Sequence, residues 1–119
     1  MKIAFSFQNG ETISGHAGHC TRFIVYRLED GKIIERSLIE IEKERTFNNV
    51  LHNLMLPFMN HPLFNVDVIM CASMGARFIE KMKIKGIEAI RVNETIPEIA
   101  IKKYLSGELD PVEPVYHNH

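Results

Sequence analysis

The sequence contains no tryptophan and only two cysteines, Cys20 and Cys71, in 119 residues. It has no Cys-x-x-Cys pair and no further ligands at zinc-finger spacing, which argues against a self-contained structural zinc site. No basic block occurs, and the net charge is -1 with neutral histidines. Nucleic acid is therefore not an expected partner, because phosphate binding needs clustered Lys and Arg. No apolar run approaches the ~20 residues that span a bilayer, so no membrane partner is expected either. The opening Met1-Lys2-Ile3-Ala4-Phe5 is too short and too strand-like for a signal peptide. Cytoplasm is the expected compartment, and there the two cysteines stay thiols rather than a bridge. Walker-type and dinucleotide glycine motifs are absent.

What is present is an ordinary globular balance, 45% hydrophobic and 24% charged. A chain of this length suits one domain and buries roughly 65% of its unfolded surface without metal or disulfide. No internal repeat or domain linker interrupts it. Ile3-Ala4-Phe5-Ser6-Phe7 alternates as a strand and meets the turn signal Gln8-Asn9-Gly10. Residues 8–21 form a loop rich in Gly, Ser and Thr. Arg22 to Leu28 is a second strand, and Asp30-Gly31 predicts a tight hairpin into a third, Ile33 to Ile41.

The period then changes. Phe47, Leu51, Leu54, Met55 and Phe58 share one helical face, with Thr46 as cap. Pro57 should kink or end that helix. Val66 to Cys71 is a near-continuous apolar run, the mark of a strand covered on both faces. Ala72-Ser73-Met74-Gly75 turns into a helix over 76–85 with Phe78, Ile79 and Met82 inward and Gly86 as left-handed cap. Ile87 to Val92 is a fifth strand. Thr95-Ile96-Pro97-Glu98 reads as a capping box that opens a helix ending near Ser106-Gly107. Residues 108–119 read as a flexible C-terminal tail after a domain over 1–107.

The order β-β-β-α-β-α-β-α implies an α/β fold, a mixed five-stranded sheet with helices on both faces. The first strand should lie centrally, antiparallel to the second and parallel to the fourth. Ligands of such sheets gather beyond the carboxyl ends of the parallel strands. There the loops 8–21 and 71–76 should open onto a common pocket. The strand layout resembles the ribonuclease H-like arrangement. Nucleases of that type need acidic residues on adjacent central strands to bind magnesium; the first strand has none, and Asp67 stands alone.

The chemistry concentrates in Ser14-Gly15-His16-Ala17-Gly18-His19-Cys20. Glycines let the backbone turn sharply and approach a ligand closely. Imidazole and thiolate together suit zinc, iron, copper or an iron–sulfur cluster. His16, His19, Cys20 and Cys71 are the candidate metal ligands. Gly18, Ser73 and Gly75 join them as candidate cofactor contacts, because the start of the second helix offers free amides to an anion. The competing reading is a glycine loop with solvated histidines and a Cys71 that packs as a small hydrophobe. Met74 reads as packing, as do Met55, Met59, Met70 and Met82. His52 and His61 read as surface residues, and His117 and His119 form a His-x-His pair in the tail. Arg22 and Arg77 flank the two loops. A Cys–His nucleophile has no acidic residue to orient it, so a thiol enzyme stands last.

Several stretches carry a family resemblance: Met1-Lys2-Ile3-Ala4, the loop through His19, Phe23-Ile24-Val25-Tyr26, Asp30-Gly31-Lys32, Val66 to Ile69, Met74-Gly75 and Lys85-Gly86-Ile87-Glu88. Over residues 1–107 the chain resembles the dinitrogenase iron–molybdenum cofactor-binding family of nitrogenase accessory proteins. The resemblance implies a ribonuclease H-like fold without nuclease activity. It also implies binding of an iron–sulfur-type cluster, the iron–molybdenum cofactor or its precursor, as cargo. Members typically show a His-Phe-Gly-His or His-Phe-Gly-Arg loop; this chain keeps His16, Gly18 and His19 with Ala17 in place of the aromatic. Cys20 is an addition to that pattern. The expected function is a non-catalytic carrier that receives a metallocluster from a donor protein and passes it to an acceptor. A simple transition-metal or zinc binder with a regulatory role, or a metal-free protein-interaction module, are the alternatives.

Overall fold

The structure, a computed structural model, describes residues 1–52 and 61–109. Its elements run β1 (Lys2–Ser6), β2 (Arg22–Glu29), β3 (Lys32–Glu40), a 3-10 turn (Lys43–Arg45), α1 (Phe47–His52), β4 (Val68–Cys71), α2 (Ala76–Ile84), β5 (Glu88–Arg91) and α3 (Pro97–Ser106). The strands form one sheet in the order β3-β2-β1-β4-β5. β2 runs antiparallel to both β1 and β3, while β1, β4 and β5 are parallel. β1 is central, as the expected ribonuclease H-like layout requires.

Burial explains that order. β4 is buried at every position and β1 at all but its first, so each needs cover on both faces. β3 exposes most of its length and takes an edge. The β2–β3 turn needs two left-handed residues, and Asp30 (φ 51°) and Gly31 (φ 76°) supply them. α1 and α2 cover one face, where Phe47, Phe78 and Met82 pack with Ala4, Phe23 and Ile69. α3 covers the other, where Ala100 and Ile101 pack with Ile3, Phe5, Ile24 and Met70. α3 ends at Ser106-Gly107, as expected, with Gly107 in the left-handed region (φ 76°). Among the described residues, no helix is long and apolar enough to cross a membrane.

Three local expectations turn out differently. The capping box does not form: Ile96 is the cap residue and makes no side-chain cap bond. Glu98 is engaged elsewhere, its Oε1 accepting from the Tyr26 hydroxyl at 2.6 Å, and Glu94 accepts from the Thr95 and Ile96 amides instead. His61 is not a surface residue. It is 4% exposed and stacks on Phe47 at 4.2 Å, with the Leu63 amide donating to its Nδ1 at 3.2 Å. Burial pushes its pKa down to about 4. The strand ends also shift by one or two residues: β4 begins at Val68, and Phe7 continues β1 only as a bridge to Ser14. Pro57, Leu54, Met55, Phe58, Met59, His117 and His119 lie outside the described residues, as do the side chains of Leu51 and His52.

Candidate functional site at the carboxyl edge of the parallel strands

The site begins with Ser6, a fully buried hydroxyl at the end of β1. Its Oγ donates to the Gly15 carbonyl at 3.5 Å and accepts from the Ala72 amide at 3.4 Å. It thereby ties the loop after β1 to the bend after β4. One residue further along each segment, His16 and Ser73 form a parallel bridge, and the Ala17 amide donates to the Ser73 carbonyl at 2.9 Å. The two loops that pattern alone placed at one edge are in direct contact.

The loop is held from several sides. The Asn9 Oδ1 accepts from the amides of Glu11 and Thr12, and the Gln8 Oε1 accepts from the Thr21 amide at 2.8 Å. Gly15 has φ 96°, and a Cβ there would stand 2.9 Å from the Gln8 Cβ and 3.4 Å from the Cys20 Sγ. Only glycine fits such a position. Gly18 presses against α1: a Cβ on it would meet the Asn48 Cβ at 3.4 Å. Its carbonyl accepts from the Asn48 amide at 2.8 Å, which satisfies one of the free donors of the first helical turn.

His16 and His19 lie on one tight turn, with the His19 and Cys20 amides donating to the His16 carbonyl at 3.1 and 2.9 Å. The two imidazole centroids are 5.5 Å apart. His19 is exposed and His16 is half-buried. The Gly18 amide donates to His16 Nδ1 at 3.1 Å. That bond assigns the lone pair of the neutral ring to Nδ1 and the proton to Nε2.

The two thiols sit in the core. Cys20 is 2% and Cys71 0% exposed, in the same hydrophobic cluster as Phe47 and Met74. Cys20 Sγ donates to the Arg22 carbonyl at 2.9 Å. Burial raises both thiol pKa values, that of Cys71 to about 12, where proximity to Cys20 adds to the effect. A metal binds the thiolate, so in this conformation both keep their protons at neutral pH. Among the described residues, no three His, Cys, Asp or Glu side chains gather into a metal site.

Gly75 precedes the first turn of α2 in extended conformation and makes no side-chain cap bond. Met74 is core packing, as expected. Arg77 is exposed, and Arg22 pairs with Glu40 at 3.7 Å. Three supporting residues were not anticipated: Ser6, Asn48 and Arg91, whose Nε donates to the Ala72 carbonyl at 3.3 Å. Ser6 left one trace in the sequence, a hydroxyl between Phe5 and Phe7 at the end of an apolar strand.

Comparison with known proteins agrees with this architecture. The chain is 28% identical over 114 residues to the uncharacterized protein MJ0580 of Methanocaldococcus jannaschii, covering 95% of this chain and 92% of that one. The NMR structure of protein MJ0327 of Methanococcus jannaschii superimposes with a TM-score of 0.67 at 21% identity, over 97% of this chain and 95% of that one. The NMR structure of the Thermotoga protein TM1290 gives 0.62 at 16% identity, over 99% and 98%. Likeness at this identity bears on the fold. The model of the family described as "Dinitrogenase iron-molybdenum cofactor" matches residues 1–107, and the chain belongs to that family.

Proposed function

We propose that the protein is a non-catalytic carrier that holds an iron–sulfur-type metallocluster, of the iron–molybdenum cofactor or precursor kind, against the His16–Cys20 loop and the Ser73–Gly75 bend. The observation that carries this reading is the His16–Ser73 bridge, because it sets two imidazoles and the start of α2 at one edge of the sheet. Family membership over residues 1–107 supports the class of cargo.

The donor set suits cargo that arrives and leaves. His19 is exposed and can offer an imidazole lone pair. His16 keeps its Nδ1 on the Gly18 amide, which puts the proton of the neutral ring on Nε2. Direct ligation by His16 Nε2 would require the proton to move to Nδ1 and the Gly18 bond to break. Amides around Gly75, at the start of α2, add donors for acidic parts of the cargo. Cys20 and Cys71 serve as thiolate ligands only where the loop lifts and the metal displaces their protons. A few exchangeable contacts on an open edge fit a protein that accepts cargo from a donor and yields it to an acceptor.

Anaerobic reconstitution with iron and sulfide tests the reading. The wild type should acquire a visible-region chromophore with stoichiometric iron and sulfide, and His16→Ala/His19→Ala should lose it. Identical featureless spectra from both would sink the cluster site. The two-imidazole set with buried thiols also favours a second reading, a simple borderline-metal binder. Stoichiometric zinc or nickel uptake without sulfide, lost in the same double variant, would select it.

A further inference from the structure

We propose that the outer edge of β3 docks a second copy of this chain by antiparallel pairing about a two-fold axis at Leu38. β3 ends the sheet on one side. The Ile41 amide donates to the Thr21 carbonyl at 2.8 Å. By the alternation of an antiparallel ladder, Ser37 and Ile39 then direct their backbone groups toward β2, and Arg36, Leu38 and Glu40 direct theirs outward. β3 runs nine residues against four for β5 at the opposite edge. It contains no proline, and its register shift lies at the far end, where Leu28 pairs with Ile33. Of the usual protections of an edge, the stretch 36–40 lacks proline, a bulge and short length, and its charges, Arg36 and Glu40, are of opposite sign. Leu38, meanwhile, is 54% exposed.

The side chains choose the register. Arg36, Leu38 and Glu40 oppose Tyr26, Ile24 and Arg22, so all three lie on the face covered by α3. An axis at Leu38 sets the two Leu38 side chains together and places Arg36 of each copy opposite Glu40 of the other. Opposite charges across a ladder are stabilising. An axis at Ser37 would instead set Arg36 against Leu38. An axis at Arg36 would oppose two cations and run the pairing into the register shift. Their present ion pairs are long and wet: Arg36, which also lies beside the Tyr26 hydroxyl, is 3.7 Å from Glu98 and 63% exposed, and Glu40 is 3.7 Å from Arg22 and 70% exposed. The contact is self-complementary and closes at two copies.

Sedimentation equilibrium on the full chain tests this from about 1 μM to about 1 mM, the range that brackets a weak edge contact. The wild type should shift from monomer to dimer with concentration. Leu38→Lys and Glu40→Arg should each weaken association at least ~10-fold. Arg36→Glu/Glu40→Arg, which reverses both charges, should restore it. All three positions are exposed, so far-UV circular dichroism should not change. A chain that stays monomeric throughout overturns the proposal. A dimer indifferent to Leu38→Lys, or a double reversal that fails to recover, overturns it too.

Discussion

His16 and Ser73 face each other across a single parallel bridge, and the residues just before them, Gly15 and Ala72, share the hydroxyl of Ser6. Ser6→Ala should therefore loosen both segments at once. The two hydrogen bonds are long, so the expected loss is at the low end of the usual range, about 1 kcal/mol. Urea unfolding measures it. An unchanged midpoint would mean that the bridge holds without the hydroxyl.

Gly15 and Gly86 both have positive φ, yet they should respond differently to alanine. Nothing lies within 4 Å of a Cβ built on Gly86, so Gly86→Ala meets only the left-handed penalty, about 1–2 kcal/mol. Gly15→Ala adds a 2.9 Å approach to the Gln8 Cβ and should lose at least ~1 kcal/mol more. Paired denaturation curves decide the matter, and equal losses would show that the loop yields freely.

His61 should impose a pH dependence on stability. Its pKa falls from 6.5 to about 4 on burial, so between those values the unfolded chain binds a proton that the folded chain refuses. Stability is then full above pH 6.5 and declines as the pH drops toward 4, by at most about 3 kcal/mol from this group. His61→Phe keeps a ring for Phe47 to stack on and should flatten that slope. A slope identical to the wild type would assign it to other groups.

Cys20 and Cys71 should resist modification in the folded state. Burial raises both pKa values, and neither side chain is more than 2% exposed. Alkylation by iodoacetamide at neutral pH should run at least ~100-fold slower than in denaturant, at a rate set by local opening. Rapid labelling of Cys20 alone would reveal a loop that opens readily on its own.

Sequence pattern carried the architecture because it is written in local periodicity. The apolar run at Val66 to Cys71 and the alternation of β1 placed the sheet centre, and Asp30-Gly31 placed the hairpin. The meeting of the His16 loop with the Ser73 bend followed from strand order alone. What stayed hidden depends on partners far along the chain. Glu98 looks like a capping residue until Tyr26, 72 positions earlier, presents its hydroxyl. His61 looks like a surface residue beside a proline until Phe47 stacks beneath it. For Cys71 the sequence offers both a ligand and a small hydrophobe; the burial of both thiols among core side chains depends on residues distant in the chain.

One bond of the loop reaches beyond the histidines. Because the Gly18 carbonyl holds the Asn48 amide, any occupant that tugs on the turn between His16 and His19 also pulls at the start of α1. That amide becomes a sentinel: its deuterium uptake and its nitrogen-15 resonance would register the arrival of cargo from outside the metal's own shell.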